Sequence, residues 1–488
     1  MGTVVLVDEQ LIPASPETVF DLFGRDSGDG WFFAATCSSV ARGAAVHFDL
    51  PMPADPGTGG FLEGTGRIVE VDRPSRIVVL HETPWRGRVT CTIRRAGDQS
   101  RVRVTAELPE ASIRWHLRRH GAVLPPEVEP GEAGIGLLLS LSGPFGIHGA
   151  GTENLARLAV EEVNQDGPPG GHPVRLVVGD DGTCPAVAAA EARRLVEDER
   201  CPVVVASVTS ASFEAARPIV EKAGALLVFG LANAGGSEGP LTFRLGERSE
   251  DQLDPVVPRL MSASGGRHWY LAGNDYCWPR AVHARMRRTI ARAGGQVVGE
   301  AFSPLGIRDL SPVLESISRS EADMVLSTFV GSDAVRFGRA LHGAGLSQRC
   351  AVLASAMEEF VREHAGEPAA GSWAVWGYFR DLPTVENHAF LARYHARFSE
   401  LAPPPSGISE AAYEAVHLVA DAARRAGGWE PQEVASRLLT ASFDGPRGRV
   451  RVLGRSRLVQ HLYLAQATAC GFAVRDEWKP WGPCIRSR

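Results

Sequence analysis

The sequence predicts an α/β protein of two lobes preceded by a smaller α+β domain. Three observations carry this. Ile135 to Leu141 is an apolar run closed by Ser142-Gly143-Pro144, and Leu155, Leu158, Ala159 and Val163 follow at helical spacing. Strand, glycine loop and helix in that order form the first crossover of an open parallel sheet. The alternation then recurs as two successive series of short apolar strands and helical runs. Residues 1–121 differ, reading as one capped helix and a succession of strands, the pattern of an antiparallel sheet with one wet face.

Val5 and Val7 alternate with polar neighbours at the start of the chain. Residues 13–23 then read as an amphipathic helix, with Ser15 as its cap and Pro16 at the first helical position, where no N–H is needed. Strand patterns follow at 45–50, 66–72, 76–81, 86–93 and 101–106, with Gly97-Asp98-Gln99 as the hairpin turn before the last. The stretch Ile12-Pro13-Ala14-Ser15-Pro16-Glu17-Thr18-Val19-Phe20 and the stretch Gly66-Arg67-Ile68-Val69-Glu70-Val71-Asp72-Arg73-Pro74 carry a resemblance. This segment resembles the START-like (SRPBCC, polyketide cyclase-like) superfamily. The resemblance implies a helix-grip fold, a curved sheet wrapped on a C-terminal helix with an apolar cavity between. Only about three turns (Ile113, Trp115, Leu117) remain after Pro109, so the closing helix is shortened. Trp31, Phe48, His81, Trp85 and Arg86 are the candidates for such a cavity, although core packing explains each of them as well. Cyclase chemistry would need an acid and a base facing a pocket, and no such pair stands out.

Residues 122–133 are rich in Pro and Glu, a semi-rigid linker between the domain at 1–121 and the one at 134–488. Beyond it, strands are expected at 174–178, 202–206 and 226–229, with helices at 185–197 and 213–223. The second series has strands at 268–272, 295–302 and 324–327, with helices at 279–293 and 310–318. No G-x-G-x-x-G follows a strand and no Walker A motif occurs, so no cofactor is expected.

Four segments of this long half carry a second resemblance: Gly136 to Pro144; Ser207-Val208-Thr209-Ser210 with Pro218-Ile219-Val220-Glu221; Gly273-Asn274-Asp275-Tyr276-Cys277-Trp278-Pro279-Arg280; and Ser409 to Val416 with Phe443 to Gly448. On these, residues 134 to about 475 resemble the type I periplasmic-binding fold, in its branch for branched-chain amino acids, amides and urea. The resemblance implies lobe 1 at about 134–250 and 378–440 and lobe 2 at about 251–377 and 441–488, closing on a ligand. It places Ser142 and Ser210 among the polar contacts, Phe229 and Leu231 after the fourth strand, Tyr276 and Trp278 at an aromatic lid, and Ser355 at the far wall. Val208 and Phe229 stand where the amide sensor of this family carries tyrosines, and Leu231 replaces a threonine, which implies a less polar or larger ligand than acetamide. Packing offers a second explanation for each position, with Ser210 also able to cap a helix.

At 488 residues the chain can bury two to four cores. Its net charge of −6 gives no reason to expect nucleic acid or an anionic membrane. The eight cysteines (37, 91, 184, 201, 277, 350, 470 and 484) lie far apart without a C-x-x-C pair, so no metal site is indicated and a reducing compartment is. The first nine residues do not read as a signal peptide, and no window reaches the roughly 20 apolar residues of a membrane span. His283, Arg285, Arg287, Arg288 and Arg292 share one helix as a solvated face, Asp275 and Arg280 read as an ion pair, and no serine sits in a G-x-S-x-G elbow.

These features lead to the expectation of a cytoplasmic, non-enzymatic binding protein or sensor for an amide, urea or amino-acid-like small molecule, acting by hinge closure. A regulatory protein or a second copy of the chain could be its partner. The alternatives are an ABC-transporter substrate-binding protein for branched-chain amino acids or amides, and a polyketide cyclase-like enzyme acting through the N-terminal domain.

Overall fold

A computed structural model describes residues 3–24, 35–37, 39–51, 61–233, 235–236 and 239–480; Trp31 lies outside them. The chain divides into two compact units, one of Met1–Pro126 with Leu141–Ala150 and one of Glu127–Ser140 with Gly151–Arg488.

The first unit contains β1 (Val4–Ile12), α1 (Pro16–Phe20), β2 (Thr36–Cys37), β3 (Ala45–Pro51), β4 (Phe61–Asp72), β5 (Arg76–Thr83), β6 (Gly87–Ala96), β7 (Gln99–Leu108) and α2 (Glu110–Arg119). The strands form one antiparallel sheet in the order β1-β7-β6-β5-β4-β3-β2. Ser15 caps α1 as the sequence suggests, its hydroxyl accepting the Thr18 N–H at 3.3 Å. Val19 and Phe20 of α1 and Phe23 just after it pack with Phe48, Ile68, Val79 and Ile93 of the sheet; a fully buried side chain of this size stabilises by about 1.5–3 kcal/mol. The alternation at Val5 and Val7 does not become a buried face. Both are exposed, as is Leu6 between them.

His81 lies in a row of rings. Its centroid is 5.5 Å from Phe48 and 5.0 Å from Trp85, and Trp85 is in turn 5.2 Å from Trp115 on α2. The His81 Nδ1 stands 2.7 Å from the Trp85 carbonyl oxygen. Burial pushes this imidazole down to about 4, so it is neutral near pH 7 and a weak base. Arg119 of α2 donates to the Ser142 hydroxyl at 3.3 Å, and Arg86 donates to the Ala150 carbonyl at 3.3 Å. Ser142 and Arg86 thus both make contacts inside the first unit.

In the second unit the first series is β8 (Ala133–Leu139), α3 (Gly149–Gln165), β9 (Val174–Asp180), α4 (Pro185–Arg193), β10 (Val203–Ser207), α5 (Ser210–Lys222), β11 (Leu226–Phe229) and β12 (Thr242–Arg244). These strands make a parallel sheet in the order β12-β11-β10-β8-β9. Next come α6 (Ser249–Leu253), α7 (Val256–Ser264), β13 (His268–Asn274), α8 (Cys277–Arg292), β14 (Gln296–Ser303), α9 (Ser311–Arg319) and β15 (Met324–Thr328). They are followed by α10 (Gly331–Gly343), α11 (Leu346–Arg349), β16 (Ala351–Ala354), α12 (Glu359–Ala365) and β17 (Trp373–Trp376). Three helices, α13 (Val385–Phe398), α14 (Gly407–Ala426) and α15 (Pro431–Leu438), precede the small sheet of β18 (Ser442–Gly445), β19 (Gly448–Val452) and β20 (Leu458–Val459). The chain ends on β21 (Leu462–Ala467) and β22 (Phe472–Trp478), which close the second large sheet, β14-β13-β15-β16-β17-β21-β22.

Two sheets therefore define two lobes. The α14 and α15 helices pack on β10 and β11 of the first, so the chain passes between lobes at 245–248, 377–384 and 460–461. The helix expected at 185–197 is not continuous: α4 gives way to a π-helical turn at Arg194–Asp198. Arg194 stands at the change, its guanidinium donating inward to the Val178 carbonyl at 2.7 Å and to Glu199 at 2.9 Å.

Candidate functional site

In an open parallel sheet, ligands gather at the carboxyl ends of the strands. At that edge of the first lobe, β8 runs into Ser140, β9 into Asp181 and β10 into the turn that starts α5. The Ser140 hydroxyl donates to Asp181 at 2.6 Å, and the Thr183 N–H donates to the same oxygen at 2.9 Å. Asp181 is wholly buried. Burial pushes its carboxyl up to about 6, while the Ser140 and Ser212 hydroxyls pull the other way. The sequence shows this group only as the run Asp180-Asp181-Gly182-Thr183 after a strand, and nothing in that run marks Ser140 as its partner.

Thr209, and not Ser210, caps α5: its hydroxyl accepts the Ser212 N–H at 3.3 Å. Ser210 is the first helical residue, half-buried, and its hydroxyl has no hydrogen-bond partner among the described residues. Capping thus falls to Thr209 and leaves the Ser210 hydroxyl unused. The first turn of α5 leaves backbone N–H groups without intrahelical partners, which suits a carboxylate or carbonyl oxygen.

Phe229, the last residue of β11, is fully buried and stacks on Phe213 of α5 with centroids 4.3 Å apart. Leu231 follows, also buried. Its backbone is fixed by Asn233, whose side-chain amide donates to the Leu231 and Gly246 carbonyls at 3.3 Å. Gly246 must be glycine, because a Cβ there would collide with the Leu231 carbonyl oxygen. Val208 is likewise buried. The first lobe therefore places the Ser210 hydroxyl and the start of α5 beside apolar side chains, and the buried Ser207 hydroxyl at the end of β10 also lacks a partner among the described residues.

On the second lobe, Tyr276 stands at the N-cap of α8 without capping it, and Trp278 lies in the first turn. Their rings are 6.4 Å apart and nearly parallel, at 28°. Burial holds the Tyr276 phenol well above its ordinary value, so it remains a neutral hydroxyl. The buried Trp278 indole N–H has no acceptor among the described residues. Helices α5 and α8 touch, and Cys277 at the start of α8 feels the charges of Glu214 on α5 and Arg244 on β12. Ser210, Tyr276 and Trp278 thus belong to the starts of two helices that meet across the lobes. Ser355 is different: it is buried and its hydroxyl donates to the Ser327 carbonyl at 3.0 Å, tying it to β15.

The Asp275–Arg280 pair is present at 2.7 Å on the surface. Among the helix residues read as a solvated face, His283 is instead buried, with its ring nitrogens 3.1 Å from Glu300 and 2.9 Å from Thr328. Among the described residues no group of three or more His, Cys, Asp or Glu side chains could hold a metal ion, and no helix is long and apolar enough to cross a membrane.

Residues 132–471 match the family described as periplasmic binding protein. The chain is 23% identical over 336 residues to the leucine-, isoleucine-, valine-, threonine- and alanine-binding protein of Pseudomonas aeruginosa, covering 65% of this chain and 84% of that one. Among solved structures, an ABC transporter substrate-binding protein from Sphaerobacter thermophilus superposes with a TM-score of 0.63 at 25% identity, over 72% of this chain and 98% of that one. A solute-binding protein of an ABC transporter from Rhodopseudomonas palustris, in complex with p-hydroxybenzoic acid, superposes with a TM-score of 0.66 at 21% identity, over 73% and 100%. With two lobes of this architecture and more than two thirds of its length matched, the chain belongs to the periplasmic binding protein family.

Proposed function

We propose that the larger unit is a substrate-binding component of the ABC-transporter type, taking a branched-chain amino acid or a molecule of similar size with a polar head and an apolar body. The observation that supports this most directly is the division of the site. Ser210 and the start of α5 offer hydrogen bonds to a carboxylate head. Val208, Phe229 and Leu231, buried behind that start, keep its surroundings apolar, and the Tyr276–Trp278 pair begins the helix that meets it. The relative from Pseudomonas aeruginosa is named for binding leucine, isoleucine, valine, threonine and alanine, which supports an amino acid as the ligand class.

The test is isothermal titration of the full chain with leucine, isoleucine, valine, p-hydroxybenzoate and acetamide. Saturable binding of an amino acid, weakened about tenfold or more by Ser210→Ala and by Trp278→Ala, is expected. Binding of acetamide alone would replace this reading with the amide sensor.

The second reading, a cytoplasmic sensor, is favoured by the N-terminal unit joined to the binding fold. A seven-stranded antiparallel sheet with a short closing helix supports a START-like assignment for that unit. Within this proposal the unit acts as a binding or docking module. Its best-placed base, His81, is too weak near neutral pH for cyclase work.

A further inference from the structure

All three passages of the chain between the lobes meet at one guanidinium. Arg447, in the turn between β18 and β19, donates through Nε and Nη2 to Glu414 at 2.8 and 2.5 Å, and through Nη1 to Glu247 at 3.3 Å. Glu247 stands in the first passage, and the same oxygen accepts the backbone N–H of Gly377, in the second, at 3.0 Å. Gln460, in the third, lines the same space: a Cβ on Gly377 would run into the side chains of Arg447, Glu247 and Gln460 together. A third carboxylate, Glu410, lies one turn before Glu414 on α14, 3.4 Å from Arg447 Nε. Neither of its oxygens accepts a hydrogen bond. Every charged side chain in the group is 4% exposed or less.

Three acids and one cation, closed off from water, do not balance. An arginine keeps its proton in proteins, so the excess is relieved on an acid. Glu414 and Glu247 hold the guanidinium's hydrogen bonds, whereas Glu410 has no donor to stabilise an ionised form. Its proton therefore stays on. Burial pushes the Glu410 carboxyl up to about 8; Arg447 opposes this, and the charges of Glu414 and Glu247 add to it. Glu247 is also raised, again chiefly by burial. Two tyrosines are further ionisable neighbours: Tyr463 on β21, raised chiefly by burial, feels Arg447, and Tyr378, in the second passage, feels both Glu359 and Glu410. Its hydroxyl donates to Asn387 at 2.9 Å and stays neutral. Glu359, buried beyond Tyr378, accepts the Arg380 N–H at 2.7 Å and is pushed up to about 8, by burial first and the Glu358 charge second.

We propose that this cluster is a proton-operated latch on the hinge: with Glu410 protonated the three passages are held together around Arg447, and loss of that proton frees the lobes to rotate apart. The Arg447–Glu247 bond joins the β18–β19 turn to the first passage, and the Glu247–Gly377 bond joins the first passage to the second. Rotation of one lobe against the other must stretch one of these, which alters the field at Glu410. By linkage, a ligand that favours closure tightens the hold on this proton, and the proton tightens ligand binding by the same factor. The direction is fixed. The folded-state value of Glu410 lies above its ordinary 4.5, so its contribution is complete at low pH and is lost as pH rises through about 8.

The test uses the full chain without ligand, comparing wild type with Glu410→Gln from pH 6 to 9.5 by thermal melting and small-angle X-ray scattering. Wild type is expected to lose about 3 °C or more in Tm and to gain in radius of gyration above pH 8. Glu410→Gln, locked in the neutral form, should lose half or less of that Tm change and keep a constant radius. Should Glu410→Gln not fold, Glu410→Met, which keeps the volume without the acid, serves with the same readings. A variant that follows the wild-type pH profile in both measurements would overturn the assignment to Glu410. A wild-type radius that stays constant across the range would overturn the latch, leaving a static buried acid.

Discussion

Helix α14 borders two carboxylate clusters along neighbouring rows of one face, and their acids behave in opposite ways. Along one row Tyr413 donates to Glu162 of α3 at 2.5 Å, His417 Nε2 stands 3.0 Å from the same oxygen, and Arg393 donates to the other at 2.8 Å. Burial would raise the Glu162 carboxyl, but these partners overcome it and hold the group down to about 2. Along the other row Glu410 shares one arginine with two rival acids, accepts no hydrogen bond among the described residues, and is pushed up to about 8. The helix is common to both sites, but Glu410 is wholly buried whereas 17% of the Glu162 side chain is exposed. Donor supply and depth of burial together separate them, and they decide whether a carboxyl is an anion or a neutral acid.

The strongest way to break this comparison is to remove the shared cation. Arg447→Met leaves three buried acids without a counter-charge and is expected to lower unfolding stability by about 3–5 kcal/mol in a urea titration. Glu162→Gln is expected to be milder, at about 1.5–3 kcal/mol, because it strips charge from hydrogen bonds that the hydroxyl and imidazole can partly keep. A loss equal to that of Arg447→Met would mean that donor supply is not what distinguishes the sites.

A pH series sharpens the contrast. Glu162 has a folded value below its ordinary 4.5, so its contribution is present above that value and is lost as pH falls towards 2. Glu410 is the reverse, so the melting temperature should decline on both sides of a maximum near pH 5, with Glu162→Gln flattening the acid side. The smallest effect belongs to Asp181, raised to about 6 with hydroxyl partners on hand. Asp181→Asn should change stability at pH 7 by no more than about 1 kcal/mol. It should also remove the decline that this group causes as pH rises from its ordinary 3.8 to about 6.

Local signals were the legible ones. The apolar runs at 135–141, 202–206 and 226–229 became buried parallel strands, and Ser15 capped its helix. These depend on residues a few positions apart, where spacing and chemistry are read directly. The cap of α5 was displaced by one residue, since Thr209 and Ser210 are equally suited to it and only the path of β10 chooses between them. The hinge was not legible. Glu410 and Arg447 were noticed as parts of family motifs, but Glu247 lies 200 residues before its partner Arg447. His417 likewise meets Glu162 across 255 positions. No pattern along the chain announces a charge whose partner is supplied by topology.

That three connections converge on Arg447 bears on how this sequence can drift. Loss of any single acid changes the charge felt by the other two, and a side chain at Gly377 would strike Arg447, Glu247 and Gln460, so substitutions here are constrained to arrive in compensating sets. Relatives that have replaced the arginine should carry neutral residues at the positions of Glu247, Glu410 and Glu414 together, while the surrounding strands remain free to vary one residue at a time.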